Sequence, residues 1–509
     1  MEADYIVVGT GSAGAVLANR LSAQPDVSVL ALEAGPRDRN KFIHIPAAFS
    51  KLFRSEVDWD YLTEPQPQLG GRQIYWPRGK TLGGSSSMNA MMWVPGFPAD
   101  YDEWGEHAGE DWNWAGLEKY MKRIEAGPLV IEAQRSPRGS TAAWLAAAVE
   151  CGHDGFCETR VTQRRGARWS TADAYLKPAL RRGNLNLLTE ATATRIVFAG
   201  NRAVGVEFDR AGVREVVTAR REVILCGGAI NSPQLLMLSG IGDRDQLASH
   251  GIEVTRHAPG VGANLLDHLV VPLGFDVRDD SLFAAEKPLE LVNYLARRRG
   301  MLTSNVGEAY GFVRSRPELD LPDLELIFAP APFFDEGIGD PYGHAIVMGP
   351  ILLKPRSHGT ITLRSADPMD KPVIDPRYLS DEADRTALMV GLRMTADIAG
   401  SPELANVIGK VARPVNASTL NASALYASDL DDETLTRALE SVSHTLYHPV
   451  GTCRMGSDED SVVDPQLRVR GIEALRVADA SVMPTLIRGH THAPSVLIGE
   501  KAADLIAQK

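Results

Sequence analysis

Two groups of residues in this chain have types and spacings that could do chemistry. The first is Gly9-x-Gly11-x-x-Gly14, followed about 20 residues later by Glu33. Glycines at this spacing permit a tight turn and let backbone N–H groups approach a pyrophosphate, which the positive end of a following helix also attracts. An acid at the end of the next strand suits a ribose hydroxyl. These residues point to a bound dinucleotide, and this site alone leaves NAD and FAD both open. The second group is histidine. There are 12 histidines in 509 residues, and four of them (His444, His448, His490 and His492) crowd toward the C-terminus. An imidazole with a pKa of about 6.5 takes up or releases a proton near neutral pH. A histidine taken alone is more often structural, so position must decide.

The elements that would hold these groups can be read from the pattern. Tyr5-Ile6-Val7-Val8 is an apolar, β-branched run of the buried-strand type. A small-residue helix follows through Leu21, and a second strand, Val27 to Leu32, ends at Glu33. Two strands joined by a helix make a βαβ unit, so a parallel sheet is expected. Gly79 to Ser87 has no periodicity and reads as a loop leading into Met88-Asn89-Ala90-Met91-Met92-Trp93. A further strand-turn-helix unit runs from Val223 to Leu238, with Asn231 or Ser232 as the expected cap and Pro233 at the first helical position. From about 271 to 440, Pro-containing loops alternate with short strand patterns such as Leu324 to Phe328 and Gly359 to Leu363. Leu475 to Ala478 reads as a strand ending at Asp479, and a closing helix is expected from near Pro494. The fold class is therefore α/β. A Rossmann-like domain is expected from residues 1–150, 185–270 and 441–509. A substrate-binding domain, on a mixed or antiparallel sheet with helices, is expected from 151–184 and 271–440.

The formal net charge is −12, with 44% hydrophobic and 23% charged residues. This is ordinary for a globular chain and argues against nucleic acid as a partner, because phosphate contacts need clustered Lys and Arg. The local cluster Arg164, Arg165 and Arg168 reads as a solvated face. Cys151, Cys157, Cys226 and Cys453 lack C-x-x-C spacing, so no metal is expected. Reduced thiols and a cytoplasmic location are the default expectation. No apolar run reaches the roughly 18 residues of a transmembrane segment. Gly260-Val261-Gly262-Ala263-Asn264-Leu265 lacks a third glycine and a strand-helix context. One fingerprint suggests one tightly held cofactor whose electrons leave to something else.

With these residues in view, the sequence resembles the glucose-methanol-choline (GMC) oxidoreductases, FAD-dependent alcohol oxidases and dehydrogenases. The resemblance spans the chain. It is carried by Gly83-Gly84-Ser85-Ser86 with Asn89 and Trp93, by Gly228 to Gly242, by Pro259-Gly260-Val261-Gly262 through Asp267-His268, by His448-Pro449-Val450-Gly451-Thr452-Cys453-Arg454-Met455-Gly456, by Val477 to Ser481, and by Gly489-His490-Thr491-His492-Ala493-Pro494. It implies that Ser12, Ala13, Glu33 and Ala34 hold the ADP half of FAD, and that the backbone of Ala193 meets the adenine. Trp59, Arg78, Gly79, Leu82, Gly83, Ser85, Asn89, Ala90 and Met91 would wrap the pyrophosphate and the flavin ring. Asp479 and Ala480 would touch the ribityl chain, and Thr491 to Val496, His492 included, the pyrimidine edge. Some members link FAD covalently to a histidine just before the loop asparagine. Met88 stands there in this chain, so non-covalent FAD is expected.

The resemblance also places one histidine at each of two positions against the reactive flavin edge. These are read as His448, the general base, and His492, the hydrogen-bond partner of the hydroxyl. His490, His444 and His268 are read as structural. An alcohol must lose its hydroxyl proton and a hydride, and a neutral imidazole can take the proton as charge develops. Trp93, Phe333, Phe334 and Tyr447 are expected to wall the substrate pocket, favouring an aromatic or apolar primary alcohol, with O2 or a quinone-like molecule as acceptor. The alternative is a flavin-containing lyase of the same family acting on cyanohydrins.

Overall fold

The fold was analysed in a computed structural model, which describes residues 1–333, 337–339, 343–413 and 430–507. It has two sheets. The first begins with β1 (Glu2–Val8), helix α1 (Ser12–Leu21) and β2 (Val29–Leu32). It continues with β3 (Leu185–Leu188), β4 (Thr192–Ala199), β5 (Arg202–Arg210) and β6 (Val213–Leu225). Strand order is β3-β2-β1-β6-β5-β4. The pairs β3-β2, β2-β1 and β1-β6 are parallel, whereas β6-β5 and β5-β4 are antiparallel. The long β6 therefore serves two purposes: its first half closes a hairpin and its second half lies beside β1. Ile6 and Val7 are fully buried, and each such side chain contributes roughly 1.5–3 kcal/mol.

Helix α2 (Gly228–Leu238) follows β6 directly. Pro233 lies inside this helix, not at its first position. The carbonyl of Ala229, which a residue 233 N–H would have bonded, accepts instead from Thr452 Oγ1 at 2.6 Å. The proline is tolerated because another segment supplies the missing donor.

The second sheet uses β7 (Leu269–Val270), β8 (Leu273–Val277), β9 (Ala309–Val313), β10 (Leu324–Ala329), β11 (Ala345–Leu352), β12 (Ile408–Arg413) and β13 (His444–Thr445), with the short strand Cys157–Glu158 on the edge beside β9. All its pairings are antiparallel. Helix α3 (Glu382–Ala399) packs across β11, where Gly391 gives the room: a Cβ there would lie 2.5 Å from Pro350 Cβ. The chain then returns to the first sheet through β14 (Leu475–Val477), parallel to β6. It ends in helix α4 (His492–Ala507), which begins two residues before Pro494. Helix α4 packs on α1, with Gly499 against Ala13. This return brings the C-terminal histidines to the N-terminal glycines. Among the described residues, no helix is long and apolar enough to cross a membrane.

Candidate active site

A cavity of about 470 Å³ runs between the two sheets, from the β1–α1 turn to the β13 region. At its first end, Gly9 has φ +96, and a Cβ there would lie 2.5 Å from the Cys226 carbonyl oxygen. The third glycine, Gly14, is not in the wall. It lets α1 approach β1, since its Cβ would lie 2.0 Å from the Gly9 carbonyl oxygen. Glu33 accepts from Thr10 N at 3.1 Å, Thr10 Oγ1 at 2.6 Å and Gly35 N at 3.0 Å. Burial raises its pKa, against the lowering effect of these hydrogen bonds. Gly9, Gly11, Ser12, Ala13, Glu33, Ala34 and Ala193 all line this end.

The middle of the cavity is lined by Trp59, Arg78, Gly79, Ser85, Asn89, Ala90, Met91, Asp479, Ala480 and Thr491. Asn89 Oδ1 accepts from Met91 N at 3.0 Å and Arg168 Nη1 at 2.7 Å, so the amide donors are what Asn89 can offer a ligand. Asp479 is consumed by the protein: Oδ2 accepts from Gly228 N and Ser232 Oγ, and Oδ1 from Ser481 N and Ser481 Oγ. Leu82, Gly83 and Val496 do not reach the cavity. Leu82 and Val496 are buried behind it, and Gly83 N donates to the Thr10 carbonyl at 3.0 Å, fastening the loop to the β1–α1 turn. Arg168 is not on a solvated face. It is 2% exposed and bonds Ile43 O, Ser86 O and Asn89, while Arg164 and Arg165 are exposed. It pairs with Gln163 across a small hairpin, which turns it inward. Burial lowers its pKa to about 9.

The far end holds the histidines, and here the arrangement departs from the sequence reading. Two rings flank His448: His490, with centroids 4.7 Å apart at 64°, and His268, with centroids 5.1 Å apart at 76°. His492, the first residue of α4, turns instead to the first helix: its Nδ1 lies 3.0 Å from Ser12 Oγ. Its Nε2 is buried without a partner among the described residues, and the residue lines the cavity, so it is available to a group bound between the two ends. His490 Nε2 lies 3.1 Å and 3.2 Å from the oxygens of Glu325. A carboxylate there suits a donor N–H.

The segment carrying His448 is clamped. Tyr447 has φ +68, costly for an aromatic residue. Its N–H donates to Thr445 Oγ1 at 2.7 Å and its carbonyl accepts from Arg78 Nη2 at 2.7 Å. Asp267 accepts from His448 N at 2.8 Å, from Thr445 Oγ1 at 2.6 Å, and from the Tyr378 hydroxyl. Burial raises the pKa of Asp267 to about 6, although these bonds pull it down. His268 Nδ1 lies 2.9 Å from His448 Nδ1. Burial first, then the crowding of a would-be cation against His490, His268 and Arg78, lowers the pKa of His448 well below that of a free histidine. Burial also lowers His492 to about 4 and His444 to about 4.

Beyond the histidines the wall is apolar: Phe49, Phe53, Val306, Ala329, Phe333, Val347 and Tyr447. Phe333 stacks on Phe49 with centroids 5.9 Å apart. Trp93 does not reach this wall; it is 2% exposed, donates to Glu125 Oε1 at 3.2 Å and packs edge-on against His492. Phe334 lies outside the described residues. Sequence reasoning missed Glu325, Asp267 and the partnership of His490. The Asp267-His268 pair was visible as a motif, but nothing in its pattern showed which residues it faces. No group of three or more possible metal ligands occurs among the described residues.

The cavity suits a long dinucleotide. A glycine turn and a helix N-terminus form one end, an unpartnered imidazole nitrogen faces the interior, and apolar space remains past the histidines. Two family models, each described as GMC oxidoreductase, match residues 3–270 and 355–499. An uncharacterised GMC-type oxidoreductase of Mycobacterium bovis is 66% identical over 533 aligned positions, covering 99% of each chain. An alcohol dehydrogenase [acceptor] of Pseudomonas putida is 40% identical, covering 99% of this chain and 96% of that one. The crystal structure of pyridoxine 4-oxidase from Mesorbium loti superposes with a TM-score of 0.88 at 30% identity, covering 100% of this chain and 99% of that one.

Proposed function

Since the chain belongs to the GMC oxidoreductase family, we propose that it uses non-covalently bound FAD to oxidise an apolar or aromatic primary alcohol to the aldehyde. The observation that carries this reading is the contact of the His448 and His490 rings at the apolar end of a cavity whose other end is a dinucleotide cradle. Bound FAD would supply the hydride acceptor. Ser12, Ala13 and the α1 N-terminus would hold its pyrophosphate, Glu33 its ribose, and the amide donors of Asn89 and the free Nε2 of His492 its polar edges.

The chain's own residues handle the proton. His448, kept neutral by burial, takes the hydroxyl proton. His490, held through its Nε2 by the Glu325 carboxylate, stands beside His448 and positions the hydroxyl as its proton leaves. Phe49, Phe333 and Tyr447 exclude water and hold the apolar part of the substrate. Met88 stands in the wall with a thioether that cannot link to flavin. Release of free flavin on acid precipitation is the expected result, and flavin retained in the pellet would reject the non-covalent reading.

The deciding experiment is anaerobic mixing of the yellow enzyme with a panel of benzyl-type alcohols, aliphatic alcohols, glucose and choline. Bleaching fastest with an aromatic or apolar alcohol is expected. Bleaching by none of them rejects the oxidoreductase step, and glucose or choline reacting best rejects the substrate class. Admission of air, with peroxide measured, then separates O2 from a quinone-like acceptor.

A further inference from the structure

His268 is fully buried and does not line the cavity, yet the register of the second sheet aims it at the site. Leu269 pairs with Leu352 on one side and Thr445 on the other. Residue 268 is thereby carried between Leu353, just past the end of β11, and the segment leading to His448. Leu446 N donates to the His268 carbonyl at 2.8 Å, fixing that approach. The two ring nitrogens then meet different partners. Nε2 lies 3.1 Å from the Leu353 carbonyl oxygen, and Nδ1 lies 2.9 Å from His448 Nδ1.

A carbonyl oxygen only accepts, so His268 Nε2 must carry a hydrogen. The Ile487 carbonyl beside the same ring also offers an acceptor and no donor. Burial drives the His268 pKa down to about 3, so the ring is neutral and its single N–H is the one on Nε2. Its Nδ1 is then a bare lone pair. Two bare lone pairs 2.9 Å apart would repel, so the hydrogen between the rings must belong to His448 Nδ1. A neutral His448 protonated there has its lone pair on Nε2.

We infer that His268 is a positioning residue that fixes the tautomer of His448: the chain Leu353 carbonyl–His268–His448 pins the His448 proton on Nδ1 and leaves Nε2 as the basic atom. When Nε2 takes up a hydroxyl proton, the O–H bond breaks, the N–H bond forms, and the resulting imidazolium keeps its Nδ1–H bond to His268. Passing a proton on to His268 Nδ1 would charge a fully buried ring, and beyond that ring the Leu353 carbonyl cannot relay one. The relay closes on the protein and holds the acquired charge at His448. This inference rests on reading His448 as the base, and the test separates the two.

The tautomer is read directly by 15N NMR of selectively 15N-histidine-labelled holoenzyme, with His448→Gln used to assign the signals. His448 Nδ1 protonated and Nε2 bare is expected. Nδ1 bare and Nε2 protonated overturns the inference with no variant needed. His268→Phe keeps a ring but removes the acceptor. It is expected to shift part of the His448 population to the Nε2–H form and to lower the maximal flavin-reduction rate on the order of 10–100-fold with little change in KM. His268→Gln can still accept from His448 through its amide oxygen and donate to Leu353 through its amide nitrogen, so it is expected to recover most of the rate. An unshifted His448 signal in His268→Phe, or Gln no better than Phe, overturns the inference. A shifted tautomer with an undiminished rate leaves the hydrogen-bond chain standing and rejects His448 as the base.

Discussion

Around Gly9, Gly11 and Ser12 the cavity wall is backbone, and its shape depends on what the side chains lack. Around His448 the wall is side chain, and its shape depends on hydrogen bonds among groups that titrate. The first end is made mainly by residues 9 to 35 of one βαβ unit, with Ala193 added from β4. The second gathers Asp267, His268, Glu325, His448 and His490 from four segments of chain. A site made of missing atoms tolerates no addition but needs no proton inventory. A site made of imidazoles tolerates changes of size better than changes of hydrogen-bond polarity.

The largest effect tests the first end. Gly14→Ala would place a methyl 2.0 Å from the Gly9 carbonyl oxygen, too close for any rotamer to relieve. Helix α1 would be pushed off β1, and overpacking of this kind costs about 1–3 kcal/mol. The expected product is a less stable, colourless protein, checked by its thermal midpoint and flavin content. Gly11→Ala is the control, because its methyl meets nothing nearer than the Gly84 Cα at 4.0 Å. It should keep the wild-type thermal midpoint and lose flavin affinity, since only a bound pyrophosphate would feel the methyl. A Gly14→Ala protein that stays yellow, or a Gly11→Ala protein that unfolds, would show that the two glycines do not divide between fold and ligand.

The second end should respond in rate. His448→Ala and His490→Ala are each expected to slow anaerobic flavin reduction roughly 10²–10⁴-fold while flavin stays bound. His492→Ala is expected to loosen flavin and to slow reduction less than either, by under about tenfold, since its contacts are with Ser12 and Trp93. Equal losses for His490→Ala and His492→Ala would erase that distinction. The ambiguity between these two residues shows where the sequence ran out. One threonine separates them, and with the helix expected from Pro494 both stood in the same loop. In the structure His490 lies in the loop, where its N–H donates to the Val94 carbonyl and its ring meets Glu325, whereas His492 opens α4 and its ring meets Ser12, so their side chains diverge. Pattern sufficed for β1, α1 and Glu33, because period and glycine spacing are local. It could not place Arg168, since a run of three arginines does not reveal which one a hairpin turns inward. Nor could it reveal Glu325, which is one residue among the apolar positions of β10.

The second end should also set the pH profile. The active form of His448 is neutral, and burial lowers its pKa well below 6.5. As pH falls, kcat/KM should therefore hold its plateau through 6.5 and decline only below it, as the histidine cluster acquires its proton. The sign is fixed by desolvation, which disfavours the charged ring. Steady-state kinetics with one alcohol across pH 4.5–8 check it, and an acid limb centred at or above 6.5 would mean the ring is wetter than the fold implies.

The smallest effect concerns the apolar wall. Phe333 stacks on Phe49 and lies near His444, with centroids 5.9 Å and 6.5 Å away, and it contributes no hydrogen bond to the reacting atoms. Phe333→Ala removes apolar surface that would face the substrate, a loss of about 1–2 kcal/mol when an aromatic ring is bound. KM for a benzyl-type alcohol should rise roughly tenfold, while the maximal reduction rate changes little and a small aliphatic alcohol is barely affected. The histidines set the rate and this wall sets the preference, so the two measurements should move independently. A Phe333→Ala variant whose rate falls as far as that of His490→Ala would show that packing at the wall also fixes the imidazoles. Size and polarity would then be inseparable where the apolar wall meets the histidines.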